Sequence, residues 1–308
     1  MKKFFNQVGK FFCGAFLICA LGINSVSAAE NPDAMEAFRE AMIKSSDSNR
    51  VVHEDVFFVV PTMQSELDFI GQRDGENFKA TGDFNIWVLN NDSGNFSELK
   101  IPFYLTQAAK DMQIYFSFDG KWKKFQSPSL AAVATDIIAT PNSEEIEKFI
   151  SEIKEVALLR ETETERTMLV KLDGKKIADE MQAESEKNPA DNGTADDKIF
   201  HESLTKYLEN GFRNSEIWYT WSVNKQNWNT IALTLNLSGL VQQIAQAALS
   251  DDSQNWSEAE QNILETVAYF SETKAFTTFL NQEAAKRLEI PKKVLKAELV
   301  EDMIADRK

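Results

Sequence analysis

The side chains able to do chemistry in this sequence are few in kind and poorly spaced for it. His53 and His201 are the two histidines. Neither has a second ligand three or four residues away, the spacing that lets one helix face grip zinc. His201-Glu202 also lacks the partner His of a zinc-protease helix. Both read as incidental, so no metal or other cofactor is expected. No Gly-x-Ser-x-Gly elbow and no glycine-rich strand–helix turn occurs. Asp251-Asp252-Ser253-Gln254-Asn255 has some calcium-loop character but lacks the central Gly and the regular acid spacing. A polar loop before a capped helix is the simpler reading. The 48 acidic residues offer many accidental carboxylate pairs, so glycosidase-type pairing stays open at this level. The expectation is a protein without catalytic residues, not an enzyme.

Composition narrows the classes further. The chain has 308 residues, 43% hydrophobic and 26% charged, with a net charge of −15. Such a chain can bury a sizeable core, and its acidity argues against nucleic acid, which needs a basic face. Lys2, Lys3 and Lys10 precede an uncharged apolar run from Phe11 to Ile23, and small residues follow at Val26-Ser27-Ala28. This is the pattern of an export signal over residues 1–28, too short in its apolar part to span a bilayer. Cys19 follows Phe16-Leu17-Ile18 rather than a small residue, so lipid anchoring is disfavoured. Removing the signal takes away both cysteines, Cys13 and Cys19, and three lysines, leaving a thiol-free chain of net charge −18. The expected location is the periplasm, the cell envelope or the exterior, in soluble form.

The elements that would position any site follow from periodicity. Asn31-Pro32 starts a helix carrying Met35, Phe38 and Met42 on one side. From Val51 to Phe125 the period is two: Leu67 and Phe69, then Phe84, Ile86 and Val88, then Ile114, Phe116 and Phe118, each alternating with polar residues. Such alternation belongs to an antiparallel sheet with one buried face. Asp119-Gly120 is a tight-hairpin dipeptide. An apolar helix is predicted over 128–139, another helix from Asn142, strands near 156–161 and 167–172, and helices near 175–184 and 199–208. The stretch 185–197 reads as a polar insertion. Strands over 217–223 and 231–237 then lead into an apolar helix at 240–249, and Ser257-Glu258-Ala259-Glu260 is a capping box. A strand covers 273–280, another lies near Arg287–Ile290, and residues 301–308 form a charged tail. Strand–turn–strand followed by an apolar helix thus occurs twice, at 112–139 and 216–249.

Several of these pieces together resemble the LolA-like group of bacterial envelope proteins, which includes the LppX/LprG-type lipoproteins. They are the Met35–Met42 helix leading into long strands, the Tyr115–Phe125 hairpin around Asp119-Gly120, the Trp221-Ser222-Val223-Asn224-Lys225 hairpin and Leu288-Glu289-Ile290-Pro291. The resemblance covers about residues 31–300 and lies in order and texture, without a catalytic motif. It departs in the missing lipobox and in the 185–197 insertion. It implies an α+β fold over residues 30–300: a curved antiparallel β-sheet, an incomplete barrel, with helices packed on the concave side. It also implies a lipid or lipoprotein carrier.

An inner face of that kind would be lined by Phe84, Ile86, Phe116, Ile217, Tyr219, Trp221, Leu233 and Leu235. These residues could line a ligand cavity or form an ordinary sheet–helix core, and the pattern alone favours the core. The apolar helices at 128–139 and 239–249 could likewise be lids or core. The function expected is binding or carrying a lipid or other hydrophobic ligand, with at most transient membrane contact and with an envelope protein as a further partner. The alternative is a non-enzymatic interaction or scaffold protein with a filled core.

Overall fold

The structure, a computed structural model, describes residues 32–45, 51–74, 77–90, 93–108, 111–126, 150, 153–187, 195–251 and 253–299. The export signal, the 128–139 helix and the helix start at Asn142 lie outside these residues. Helix α1 (Pro32–Ser45) leads into six strands in chain order: β1 (Val51–Val60), β2 (Met63–Asp74), β3 (Asn77–Leu89), β4 (Phe96–Ala108), β5 (Asp111–Phe118) and β6 (Lys121–Gln126). After β7 (Ile153–Glu161) and β8 (Glu165–Leu172) come helices α2 (Gly174–Lys187) and α3 (Ala195–Asn214). These helices run into both ends of the polar 185–197 stretch. Strands β9 (Ile217–Asn224) and β10 (Thr230–Asn236) follow, then α4 (Ser238–Leu249), α5 (Glu258–Phe270) and β11 (Glu272–Leu280).

The strands form one twelve-stranded sheet in the order β12-β6-β5-β4-β3-β2-β1-β11-β10-β9-β8-β7, open at both ends and curved, with helices packed against one face. Two antiparallel meanders, β1–β6 and β7–β11, are joined along β1 and β11, which pair from Val51↔Leu280 to Val59↔Glu272. The two-residue β12 (Glu298–Leu299) adds in parallel to the β6 edge, where Lys123 and Glu298 form an ion pair. The fold is therefore α+β, an incomplete barrel.

Local chemistry explains the hairpins. Asp119 and Gly120 both have positive φ, 50° and 73°, as the tight turn between β5 and β6 requires. At Gly82, β3 crosses so close to β2 that an added Cβ would overlap the Asp68 carbonyl oxygen and sit 2.6 Å from Phe69 Cα. Ser257 caps α5 in a reciprocal box with Glu260, as the Ser-Glu-Ala-Glu spacing predicts. One expectation fails. The stretch near Arg287–Ile290 is not a strand; Gln282–Leu288 forms a 3-10 helix whose Asn281 side chain accepts from the Glu283 N–H. The run Gln-Glu-Ala-Ala-Lys favours helix, and the Asn cap starts it.

The main core lies where helices meet β7–β11. Phe38 of α1 is fully buried and stands edge-on to Trp221, ring centres 4.9 Å apart at 88°. Leu240, Val241 and Ile244 of α4 join the same cluster, with Met168, Val170, Tyr219 and Val223 beneath them. A second, smaller cluster of Phe69, Ala80 and Leu105 lies on β2–β4.

Candidate functional site

Register decides which side chains share a face. Reading straight across the sheet, Phe116, Phe103, Gly82, Phe69, Glu54, Thr277, Leu233, Trp221 and Met168 are successive partners from β5 to β8. Side chains alternate between faces along each strand, so residues two apart join them. Phe84 and Ile86 stand opposite Leu67 and Ser65, and Tyr219 and Leu235 stand opposite each other. Ile217 is two residues from Tyr219. All eight residues expected to line the inner face thus project from the same face, the one the helices cover.

Their surroundings differ. Ile217, Tyr219 and Trp221 are buried, and half-buried Leu233 and Leu235 pack against the main core with them. Beneath α1 and α4 this half of the face is filled by protein. Phe84, Ile86 and Phe116 lie on the other half and belong to neither cluster. They are half-buried, and around them on the same face Val88, Leu99 and Phe118 are 47%, 40% and 48% exposed. Ile86 faces Leu99 and Phe84 faces Ile101 across β3 and β4. The result is an apolar strip on β3–β5 that is only partly covered.

Glu54 is the ionisable group in the central row of that face; Lys121 and Lys123 of β6 stand opposite Phe118 and Phe116 at one side of it, and Arg166 of β8 stands opposite Val223 at the other. Glu54 lies between Phe69 and Thr277 in the central row, and its carboxylate accepts a 2.8 Å hydrogen bond from Thr277 Oγ1. Burial pushes its pKa up to about 7; the Thr277 bond and then His53 oppose this, and Asp55 adds to it. Periodicity does not reveal this residue, because β1 is apolar in both phases: Val51, Phe57 and Val59 stand in one, and Val52, Val56 and Phe58 stand with Glu54 in the other. Knowing in advance which phase faces inward was the only signal that could have flagged it.

The outer face carries paired charges beside aromatic side chains. Asp55, Asp68 and Asp83 are successive cross-strand partners. His53 Nε2 lies 2.9 Å from Asp68 Oδ1 and 3.9 Å from Asp55 Oδ2, and Lys100 Nζ lies 2.9 Å from Asp83. Like charges directly opposite repel; the Lys100 ammonium offsets the row at Asp83, and the His53 ring lies within hydrogen-bond reach of Asp68. Asp55 is held above the ordinary carboxyl range first by burial, with His53 opposing and Asp68 adding. Among the described residues, His53, Asp55 and Asp68 bring three metal-ligating atoms within 4.8 Å of one another. Residue spacing along one strand does not show this grouping, because Asp68 arrives from the neighbouring strand. His201 lies on α3, away from this group in the chain. A hollow of about 270 Å³ also opens on this outer face, lined mainly by Phe57, Val59, Gln64, Trp87 and Phe96.

Asp251 has a structural role. Its carboxylate accepts from Lys206 Nζ at 3.0 Å, Tyr207 Oη at 2.9 Å and Ser253 Oγ at 2.6 Å. The hydrogen bonds from Ser253 and Lys206 hold its carboxyl far below the usual range. Burial, together with Asp251, pushes the Tyr207 phenol up to about 12. The loop after α4 is therefore pinned to α3 by this cluster.

No protein-family model matches the chain, and no curated protein matches it. Among solved structures it is similar to one described as the crystal structure of LprF from Mycobacterium bovis. The identity is 9%, the match covers 84% of this chain and 94% of that one, and the TM-score is 0.34. Likeness of that degree carries no inference. The fold class rests on the sheet register and packing described above. Among the described residues no helix is long and apolar enough to cross a membrane.

Proposed function

We propose that this chain is an exported, non-enzymatic carrier of the cell envelope that binds a lipid or other hydrophobic ligand against the inner face of its sheet. The observation that supports this reading is the partly covered apolar strip of Phe84, Ile86, Val88, Leu99, Ile101, Phe116 and Phe118. Each methylene buried there contributes about 0.8 kcal/mol, so a long alkyl chain needs few polar contacts. The N-terminal signal pattern and the thiol-free remainder support export. A chain this acidic is repelled by anionic headgroups, so membrane visits are brief or guided by an envelope partner.

The test is native mass spectrometry of the purified protein, with displacement of a fluorescent acyl probe. Bound alkyl-chain molecules are expected, and Ile86→Asp should weaken probe binding by about tenfold or more, since a charge on this strip forfeits the burial. Clean extracts together with no probe binding would overturn the reading. The hollow beside Phe57, Trp87 and Phe96 favours the second reading, a protein-binding outer face. In that case Trp87→Ser weakens capture by an envelope partner while Ile86→Asp does not.

A further inference from the structure

We propose that Glu54 and Thr277 form the polar anchor of the inner-face site, selecting amphiphiles whose head is an amine or hydroxyl over those whose head is a carboxylate. This rests on the carrier reading above and adds the ligand's head chemistry to it. The geometry is specific. Glu54 is a half-buried side chain near the middle of the twelve-stranded sheet, on the seam of the two meanders, in the row that runs from Phe116 to Met168. Its neighbours on that face are Val52 and Val56 along the strand and Phe69 across it. Thr277 Oγ1 donates to Oε2 at 2.8 Å. A carboxylate has about four acceptor sites, so one such bond leaves capacity for a ligand's N–H or O–H. Both residues are half-buried rather than sealed, so the pair is within reach of a molecule on that face.

The apolar surroundings make the discrimination strong. A hydrogen bond to a charged group gains in a low-dielectric setting, and a second carboxylate beside the first is repelled there. The ionised carboxylate can accept from an alcohol or pair with an ammonium. The neighbouring charges are accounted for element by element. On β1, His53 and Asp55 point to the outer face, as do Glu66 and Asp68 on β2. On β11 the charged residues are Glu272 and Lys274. The 3-10 helix that touches β1 carries Glu283, Lys286 and Arg287, and α5, which also touches β1, carries Glu258, Glu260 and Glu265. Of the neighbouring charges, His53 and Asp55 act on Glu54, with opposite signs, and both effects are smaller than burial.

The experiment compares dodecylamine, dodecanol and dodecanoic acid as displacers of a neutral fluorescent alkyl probe from the full chain. At about pH 8, amine and alcohol should bind at least about tenfold more tightly than the acid, roughly one charge–charge contact. Glu54→Gln, nearly isosteric and still able to accept from Thr277, should raise acid binding to the level of the alcohol and remove the amine's advantage. Thr277→Val keeps the carboxylate and should keep the ranking. A strongly acidic chain attracts any cation, so exposed Glu163→Gln is the control and should leave the ranking unchanged. An unchanged ranking in Glu54→Gln, with a native-like circular dichroism spectrum, overturns the anchor. Binding of all three displacers without ranking does the same while leaving the carrier reading intact. If the wild type binds neither probe nor displacers, the carrier reading itself fails.

Discussion

Glu54 and His53 are neighbours in the chain and opposite in circumstance. His53 points outward to Asp68 and Asp55, 2.9 Å and 3.9 Å from their carboxylate oxygens. Glu54 points inward among Val52, Val56 and Phe69, with one hydroxyl partner. Its carboxyl ordinarily titrates at 4.5 and does so here at about 7. Between those values the folded chain holds a proton that the unfolded chain has released. Stability from this group therefore falls as pH rises from 4.5 to about 7 and is level above that. Glu54→Gln removes the penalty. The variant should match the wild type near pH 4 and exceed it by roughly 1–2 kcal/mol near pH 8, a figure reduced for partial solvent access. Urea denaturation at the two pH values checks this, and an equal gain at both would contradict the assignment.

At the level of elements, alternation made the strands legible wherever one face is apolar and the other polar. β9 reads this way in sequence, and every second residue from Ile217 to Val223 is buried. β4, within the Val51–Phe125 stretch, alternates less clearly than its neighbours, for two reasons. Its segment Ile101-Pro102-Phe103-Tyr104 is apolar on both faces, and it contains a proline, which a paired strand tolerates poorly. The register resolves the conflict. Pairing with β5 begins at Phe103, so Pro102 sits where β4 has a partner on one side only, Asp83 of β3. Curvature is likewise a property of strand pairs. Gly82 lets β3 lie against β2 with no room for a side chain, so Gly82→Ala should destabilise by about 3 kcal/mol, the upper end for overpacking. Thermal unfolding measures this. A cost below about 1 kcal/mol would mean that the strands part easily.

Across the whole molecule, the inner face is one surface with two fates. Over β7–β11 it is packed solid against α1 and α4, and over β3–β5 it remains partly open. Phe38→Ala and Phe116→Ser should therefore separate. Phe38 is fully buried against Trp221, so its truncation should cost about 3–5 kcal/mol, read as a fall in the denaturation midpoint. Phe116 is half-buried in the open strip, so its replacement should cost about 1 kcal/mol in stability yet weaken alkyl-probe binding severalfold. Equal stability losses would place both residues in one core.

By itself the sequence determined class, polarity and phase. Its alternation marks the strands, its turn and cap residues mark hairpins and helix ends, and its alternating residues identify the eight side chains that share one face. These are local properties, read from residues within a turn or two of one another. Only the tertiary structure decided that five of the eight are core while Phe84, Ile86 and Phe116 lie in the open strip. It alone brought Thr277 to Glu54 and Asp68 to His53. Those outcomes depend on which strand pairs with which and at what offset. β1 and β11 are separated by most of the chain, and pairing between such distant segments is set by the packing of the whole sheet.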